Sequence, residues 1–167
     1  MKDTVSAEFM SRSDDETRAL GRRTAELLPP GAVVALIGDL GAGKTRWVQG
    51  MGDALGVAEE SIVSPTFVLI HEYPGRMPLY HFDVYRITPA EFADLGPDEY
   101  FEGDGLCVVE WADRVSQYLP PDRIEVRFEI IDPSTRRITV TGHGNAAEWL
   151  SPLLGDATTQ DRKTGPS

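Results

Sequence analysis

Two hydrophobic periods alternate along the chain. A helical stretch begins near Ser13, where Ser13 and Glu16 stand at capping-box spacing. Leu20, Thr24, Leu27 and Leu28 then mark one face, and Pro29-Pro30-Gly31 stops the helix. The apolar run Ala32–Ile37 follows, short enough for a strand buried on both faces, as in a parallel sheet. A glycine-rich turn, 38–43, opens a second helix with apolar positions Trp47, Val48, Met51, Ala54 and Leu55, which Gly56 is placed to end. Phe67–Tyr73 and Leu79–Tyr85, joined by the short link 74–78, predict an antiparallel strand pair. A helix is expected after Thr88 and Pro89, ending near Gly96, and Leu106–Val109 is another short buried strand. Ile124, Val126, Phe128 and Ile130 alternate with Arg and Glu, the period of a half-buried strand. Asp132-Pro133-Ser134 turns that strand toward Arg137–Thr141 in a hairpin. The sum is an α/β domain with a mixed parallel and antiparallel sheet flanked by helices.

The 167 residues suit one domain, able to bury roughly 68–70% of its unfolded surface without disulfides. We place that domain at residues 1–155. Residues 156–167 are polar, contain Gly and Pro, and read as a disordered tail. Met1–Glu16 is polar and has no signal-peptide pattern, and no apolar run approaches the ~20 residues that span a bilayer. The single cysteine, Cys107, excludes an internal disulfide and is most simply a core residue. No zinc-type Cys/His spacing occurs. A cytoplasmic protein with no membrane partner is expected.

Charge narrows the partners. Sixteen basic against 27 acidic residues give a net charge of −11. Non-specific nucleic-acid affinity comes from Lys and Arg neutralising phosphates, so any action on nucleic acid needs a partner to supply the contacts. Only three lysines occur, Lys2, Lys44 and Lys163, and only Lys44 lies in the body of the chain.

Lys44 falls in the strongest chemical signal. Gly38-Asp39-Leu40-Gly41-Ala42-Gly43-Lys44-Thr45 fits G-x-x-x-x-G-K-[ST]. Glycines allow unusual dihedrals and close approach to an anion. The loop amides form an anion-binding nest, and the next helix presents its positive end to the same place. Lys44 can reach β- and γ-phosphates, and the Thr45 hydroxyl can ligate Mg²⁺. A glycine-rich turn that binds nothing is the plainer reading, but the motif follows a buried strand and opens an amphipathic helix, as its mechanism requires.

Other candidates gather around this loop. Glu110 ends the apolar strand Leu106–Val109, and open α/β sheets bind ligands at that edge. It can hold Mg²⁺, although Asp is commoner there, and a solvated strand-end acid is the plainer alternative. In His81-Phe82-Asp83-Val84-Tyr85-Arg86, period 2 puts His81, Asp83 and Tyr85 on one face. That face either meets solvent or lines a site. Asp83 can orient or deprotonate an attacking water, or hold a metal-bound water. Thr66 in Ser64-Pro65-Thr66 lies where many phosphate-loop proteins carry a switch hydroxyl, and a ligand-free turn is as good a reading. Trp111 reads as packing. Surface solvation is the simplest role for each of Arg86, Arg114, Arg136 and Arg137.

Together, Gly38–Thr45, Ser64-Pro65-Thr66-Phe67, His81–Arg86 and Val109-Glu110-Trp111 resemble, in order and spacing, the bacterial TsaE (YjeE) family. The likeness runs from about Ser13 to Val140 and includes Asp14–Thr17 and Glu91–Tyr100. It implies a P-loop nucleoside triphosphate hydrolase-like fold that binds ATP and Mg²⁺ and hydrolyses ATP slowly alone. It implies partnership with TsaD and TsaB, which transfer threonylcarbamoyl to adenosine 37 of tRNA, so tRNA is met only through the complex. Carried over by position, Asp39, Leu40, Gly41, Ala42, Gly43, Lys44 and Thr45 hold phosphates. Thr45 and Glu110 serve Mg²⁺, Asp83 and Lys44 are catalytic, and Thr66 belongs to a switch-like segment. The resemblance also implies adenine or ribose contacts from the first helix start and the C-terminal hairpin. Arg46 departs from the family's usual Thr and should point outward.

Three rivals share the loop. A small-molecule kinase needs an acceptor pocket and usually an Arg-rich lid, and no such segment is evident. A GTPase-like switch lacks its N-K-x-D motif, since Asn145 is the only Asn. A nucleotide-dependent scaffold without useful turnover remains.

Overall fold

The apolar run after the first helix becomes β2 (Val33–Ile37), the centre of the sheet. We describe a computed structural model, covering residues 3–39, 41–58, 62, 70–156 and 159–164. Around β2 lie β1 (Asp3–Ser11), β3 (Ile70–Tyr73), β4 (Leu79–Asp83) and β5 (Leu106–Glu110). β6 (Arg123–Asp132), β7 (Thr135–His143) and β8 (Thr159–Thr164) complete the sheet. Among the described residues the order is β3-β4-β5-β2-β6-β7-β1-β8. β4, β5, β2 and β6 are mutually parallel, and every other neighbouring pair is antiparallel. The mixed sheet expected from the sequence is therefore present.

Two faces of this sheet are covered differently. On one, α1 (Asp14–Ala25) and α2 (Lys44–Leu55) pack Leu20, Trp47, Val48 and Met51 against Val34, Leu36, Val108 and Val126. α5 (Ala146–Trp149) extends that layer with Ala146. On the other, α3 (Pro89–Asp94), α4 (Pro97–Phe101) and the 3₁₀ segment Ala112–Tyr118 enclose Phe82, Phe92, Cys107 and Val109. This second layer covers β4, β5 and β2. Beyond it, β6, β7 and β1 turn residues such as Glu125, Arg137 and Ser6 outward, none of them buried. Among the described residues, no helix is long and apolar enough to cross a membrane.

Local signals behave as their chemistry requires. Ser13 caps α1, accepting from the Glu16 amide at 3.0 Å. Thr88 and Glu91 form a reciprocal capping box on α3. Three readings differ from the structure. Residues 3–11, read as polar, form β1, because Val5, Ala7, Phe9 and Ser11 are buried at alternate positions while their neighbours are not. The segment expected to be disordered contains β8, antiparallel to β1. Without it β1 would be an edge with a row of unpaired amides and carbonyls, and ladder bonds use the backbone whatever the side chains are. The helix expected after Thr88 and Pro89 is α3, which ends beside Gly96 as read, and a further short helix, α4, follows from Pro97. β4 stops at Asp83 rather than Tyr85, where the Tyr85 amide turns back to donate to Asp83 Oδ1 at 3.0 Å. The part of the predicted strand before Ile70 lies outside the described residues.

Candidate functional site

The loop after β2 sits at the C-terminal edge of the parallel strands, where α2 begins. Gly43 directly precedes α2 with φ of 106°, a left-handed conformation that side-chain-bearing residues rarely adopt. Ala42 donates its amide to the Asp39 carbonyl at 3.1 Å, drawing the loop into a compact turn. The buried Lys44 reaches back across it, and Nζ donates to the Gly38 carbonyl at 2.5 Å. Thr45 follows in the first turn of α2, half-buried. Leu40 and Thr66, both expected here, lie outside the described residues.

β4 and β5 deliver the acids. They are parallel, with Asp83 opposite Glu110, so both carboxylates emerge at the same edge on one face. Glu110 is 5% exposed and Asp83 half-buried. Burial pushes the Asp83 carboxyl above its ordinary value and neighbouring Glu110 adds to this, against the Tyr85 amide, His81 and Lys44. Burial pulls the Lys44 ammonium below its ordinary value, opposed by Glu110, Asp83, Asp113 and Asp39. One cation thus faces several acids in a poorly hydrated place. His81, two residues before Asp83 on the same face, is fully buried, with Nε2 2.5 Å from Glu110 Oε2. Cys107, on the opposite face of β5, is a core residue as expected, its thiol pushed up to about 12 by burial.

Trp111, read from the sequence as packing, does pack, and it packs on the candidate site itself. Its φ is 60°, the only positive value at a non-glycine among the described residues. Such conformations cost about 1–3 kcal/mol and persist where the surroundings enforce them. The ring lies over Lys44, whose Nζ is 3.4 Å from the ring centroid, a cation–π contact. Tyr85 packs on Trp111 at a centroid distance of 4.6 Å. The position directly after the strand-end acid was the available signal.

Arg136 also has a role that its composition hid. Its Nη1 donates to the Asp132 carbonyl at 2.8 Å and the Thr135 carbonyl at 3.1 Å, shaping the β6–β7 turn. Its Nη2 donates to the Gly41 carbonyl at 3.1 Å, tying that turn to the glycine-rich loop. A groove beside the loop is lined by Arg12, Ser13, Asp14, Thr17, Ser134 and Arg136. Arg114 donates to the Tyr85 carbonyl, and Arg137 bonds Glu8 and Glu129. Arg46 points outward as expected, 3.4 Å from Asp14.

The donors suit Mg²⁺ in kind. Glu110 and the Thr45 hydroxyl offer hard oxygen donors, and Mg²⁺ commonly takes only one or two protein carboxylates beside phosphates and water. No group of three or more His, Cys, Asp or Glu able to hold a metal occurs among the described residues.

A glycine-rich loop between a parallel strand and a helix, flanked by acids on neighbouring strand ends, defines a P-loop α/β protein. The family model described as "Threonylcarbamoyl adenosine biosynthesis protein TsaE" matches residues 11–138, and the chain belongs to the TsaE family. It is 45% identical over 141 residues to the Bacillus subtilis tRNA threonylcarbamoyladenosine biosynthesis protein TsaE, spanning 84% of this chain and 88% of that one. It is 40% identical over 149 residues to the Streptomyces coelicolor protein of the same name, spanning 83% and 99% respectively. The crystal structure of YdiB from Bacillus subtilis superposes with a TM-score of 0.75 at 39% identity, over 90% of this chain and 95% of that chain.

Proposed function

We propose that this chain is a Mg²⁺-dependent ATPase that supports turnover of a TsaD–TsaB pair in N6-threonylcarbamoyladenosine modification of tRNA at adenosine 37. The observation carrying the ATPase reading is Lys44, held across the mouth of its own glycine-rich loop with Glu110, Asp83 and Asp39 as the acids around it. The membership in the TsaE family carries the tRNA reading.

The residues divide the work. Amides of the loop from Asp39 to Thr45 receive the phosphates, and Lys44 turns from the Gly38 carbonyl to the β- and γ-phosphate oxygens. Thr45 and Glu110 hold Mg²⁺, which when bound neutralises charge developing on those oxygens. Asp83, with its carboxyl raised by burial, accepts a hydrogen bond from the attacking water and holds it in line. The groove between the start of α1 and the β6–β7 turn takes the nucleoside. Thr66 serves as a switch hydroxyl. Sixteen basic against 27 acidic residues suit docking through proteins, with tRNA met only through the complex.

Calorimetric titration of ATP with Mg²⁺ tests the first claim. Heat of binding is expected for the native chain and its loss for folded Lys44→Ala; no heat with the folded native chain overturns it. Purified TsaD–TsaB should retain the chain in a nucleotide-dependent way, and no complex at micromolar concentration overturns the partner claim.

A further inference from the structure

His81 has no assigned part in the chemistry above, yet it is the most deeply buried polar residue near it. It is 0% exposed, and Glu110 is 5% exposed. Burying an imidazole and a carboxylate is costly unless they pair, and Nε2 lies 2.5 Å from Oε2. Among the described residues the other ring nitrogen, Nδ1, has no hydrogen-bond partner. The Tyr73 ring lies 6.3 Å away, centroid to centroid, and His71 is opposite in the β3–β4 register. A proton on Nδ1 would be an unsatisfied buried donor, whereas a proton on Nε2 meets a carboxylate oxygen. The surroundings therefore set the tautomer: Nε2–H donates to Glu110.

We propose that His81 is a positioning residue for Glu110, fixing one carboxylate oxygen so that the other is presented to a Mg²⁺–nucleotide. This rests on the reading that Glu110 holds Mg²⁺. It also accounts for Glu in a place where the shorter Asp is commoner. Glu has one more rotatable bond than Asp, and an imidazole donor from the adjacent strand removes the freedom that this bond adds. Partners behind a metal-binding carboxylate typically contribute 10–100-fold in metal affinity.

The test compares His81→Phe, which keeps an aromatic ring but no donor, with His81→Gln, which restores an N–H, and with Glu110→Gln. Mg²⁺ is titrated into each protein saturated with a non-hydrolysable ATP analogue, and binding is followed by calorimetry. Metal-free affinity for the analogue is measured separately. His81→Phe is expected to raise half-saturating Mg²⁺ about 10–100-fold with metal-free affinity within about twofold, and His81→Gln to recover most of the loss. Parallel loss of metal-free affinity would mark a merely structural role and overturn the proposal. If Glu110→Gln shifts the Mg²⁺ response and His81→Phe does not, the His81 proposal fails while the metal assignment stands. If Glu110→Gln shifts nothing, the metal assignment fails and the proposal with it. Should His81→Phe not fold, as judged by circular dichroism, His81→Asn, whose amide is too short to reach Glu110, carries the same comparison.

Discussion

Asp83 and Glu125 are both half-buried carboxylates on the same sheet, yet their surroundings push them in opposite directions. Asp83 ends β4 in the half covered on both faces, with Glu110 opposite it, and burial raises its carboxyl above the ordinary value. Glu125 lies mid-strand on the uncovered face of β6. There the hydrogen bond from His143 holds it below the ordinary value, outweighing burial, with Arg127 and Arg123 assisting. The His143 contact is 3.2 Å long. One carboxylate has its charge satisfied by neighbours and is chemically quiet. The other lies beside a second acid, and the Tyr85 amide, His81 and Lys44 do not outweigh its burial. Depth of burial does not separate them; the neighbours each one meets do.

Neutralising each acid should break the comparison most sharply. Asp83→Asn keeps an acceptor for the Tyr85 amide and removes the charge. ATP hydrolysis is expected to fall about 10²–10⁴-fold, with nucleotide binding retained. The stability sign follows from proton linkage. Because the folded-state value is raised, the folded protein binds more protons than the unfolded one above the ordinary value of 3.8, so stability is lost as pH rises through that window. Asp83→Asn should therefore melt higher than the native chain at neutral pH, and the gain should vanish below that value. Glu125→Gln should do the reverse. Its folded-state value is depressed, so it contributes stability above 4.5 that is lost as pH falls through the folded value. Thermal melts of both variants at neutral and acid pH check the pair, and equal signs would dismiss it.

The cover over the site can be broken from a distance. α1 and α2 cross where two glycines meet opposing backbone. A Cβ on Gly50 would lie 1.9 Å from the Arg18 carbonyl oxygen, and one on Gly21 would lie 2.4 Å from that of Trp47. Backbone cannot yield as a side-chain end can, so Gly50→Ala should cost about 1–3 kcal/mol, the usual range for overpacking. The helices can relieve the clash only by separating, and Lys44 and Thr45 ride on the first turn of α2. Denaturant unfolding should show the loss, and nucleotide affinity should fall with it. Full stability in Gly50→Ala would show that the crossing tolerates separation.

How much of this was legible beforehand follows the same division. The loop, Lys44, Asp83 and Glu110 were readable because glycine spacing and strand-end position are local properties of the chain. Trp111 was not, because its ring reaches Lys44 only after β5 and α2 are brought together. Arg136 and Gly41 lie 95 positions apart, a pairing that no local period encodes. The partner of His81 was similarly hidden, although the face it shares with Asp83 was visible from period 2. β1 was readable from Val5, Ala7 and Phe9, but the surrounding polar residues masked the alternation. β8 lies at the opposite limit, since backbone pairing with β1 is its one described interaction and leaves no mark on sequence.

The smallest effect belongs on the uncovered face. Arg137 bridges Glu129 at 2.8 Å and Glu8 at 3.0 Å, linking β7 to both neighbours. The geometry is good, but the Arg137 side chain is 40% exposed, so water competes for each charge and salt screens what remains. Arg137→Ala should cost no more than about 1 kcal/mol, and most of that should disappear in high salt, with nucleotide binding unchanged. A larger, salt-resistant loss would mean that this face is as protected from water as the site across the sheet.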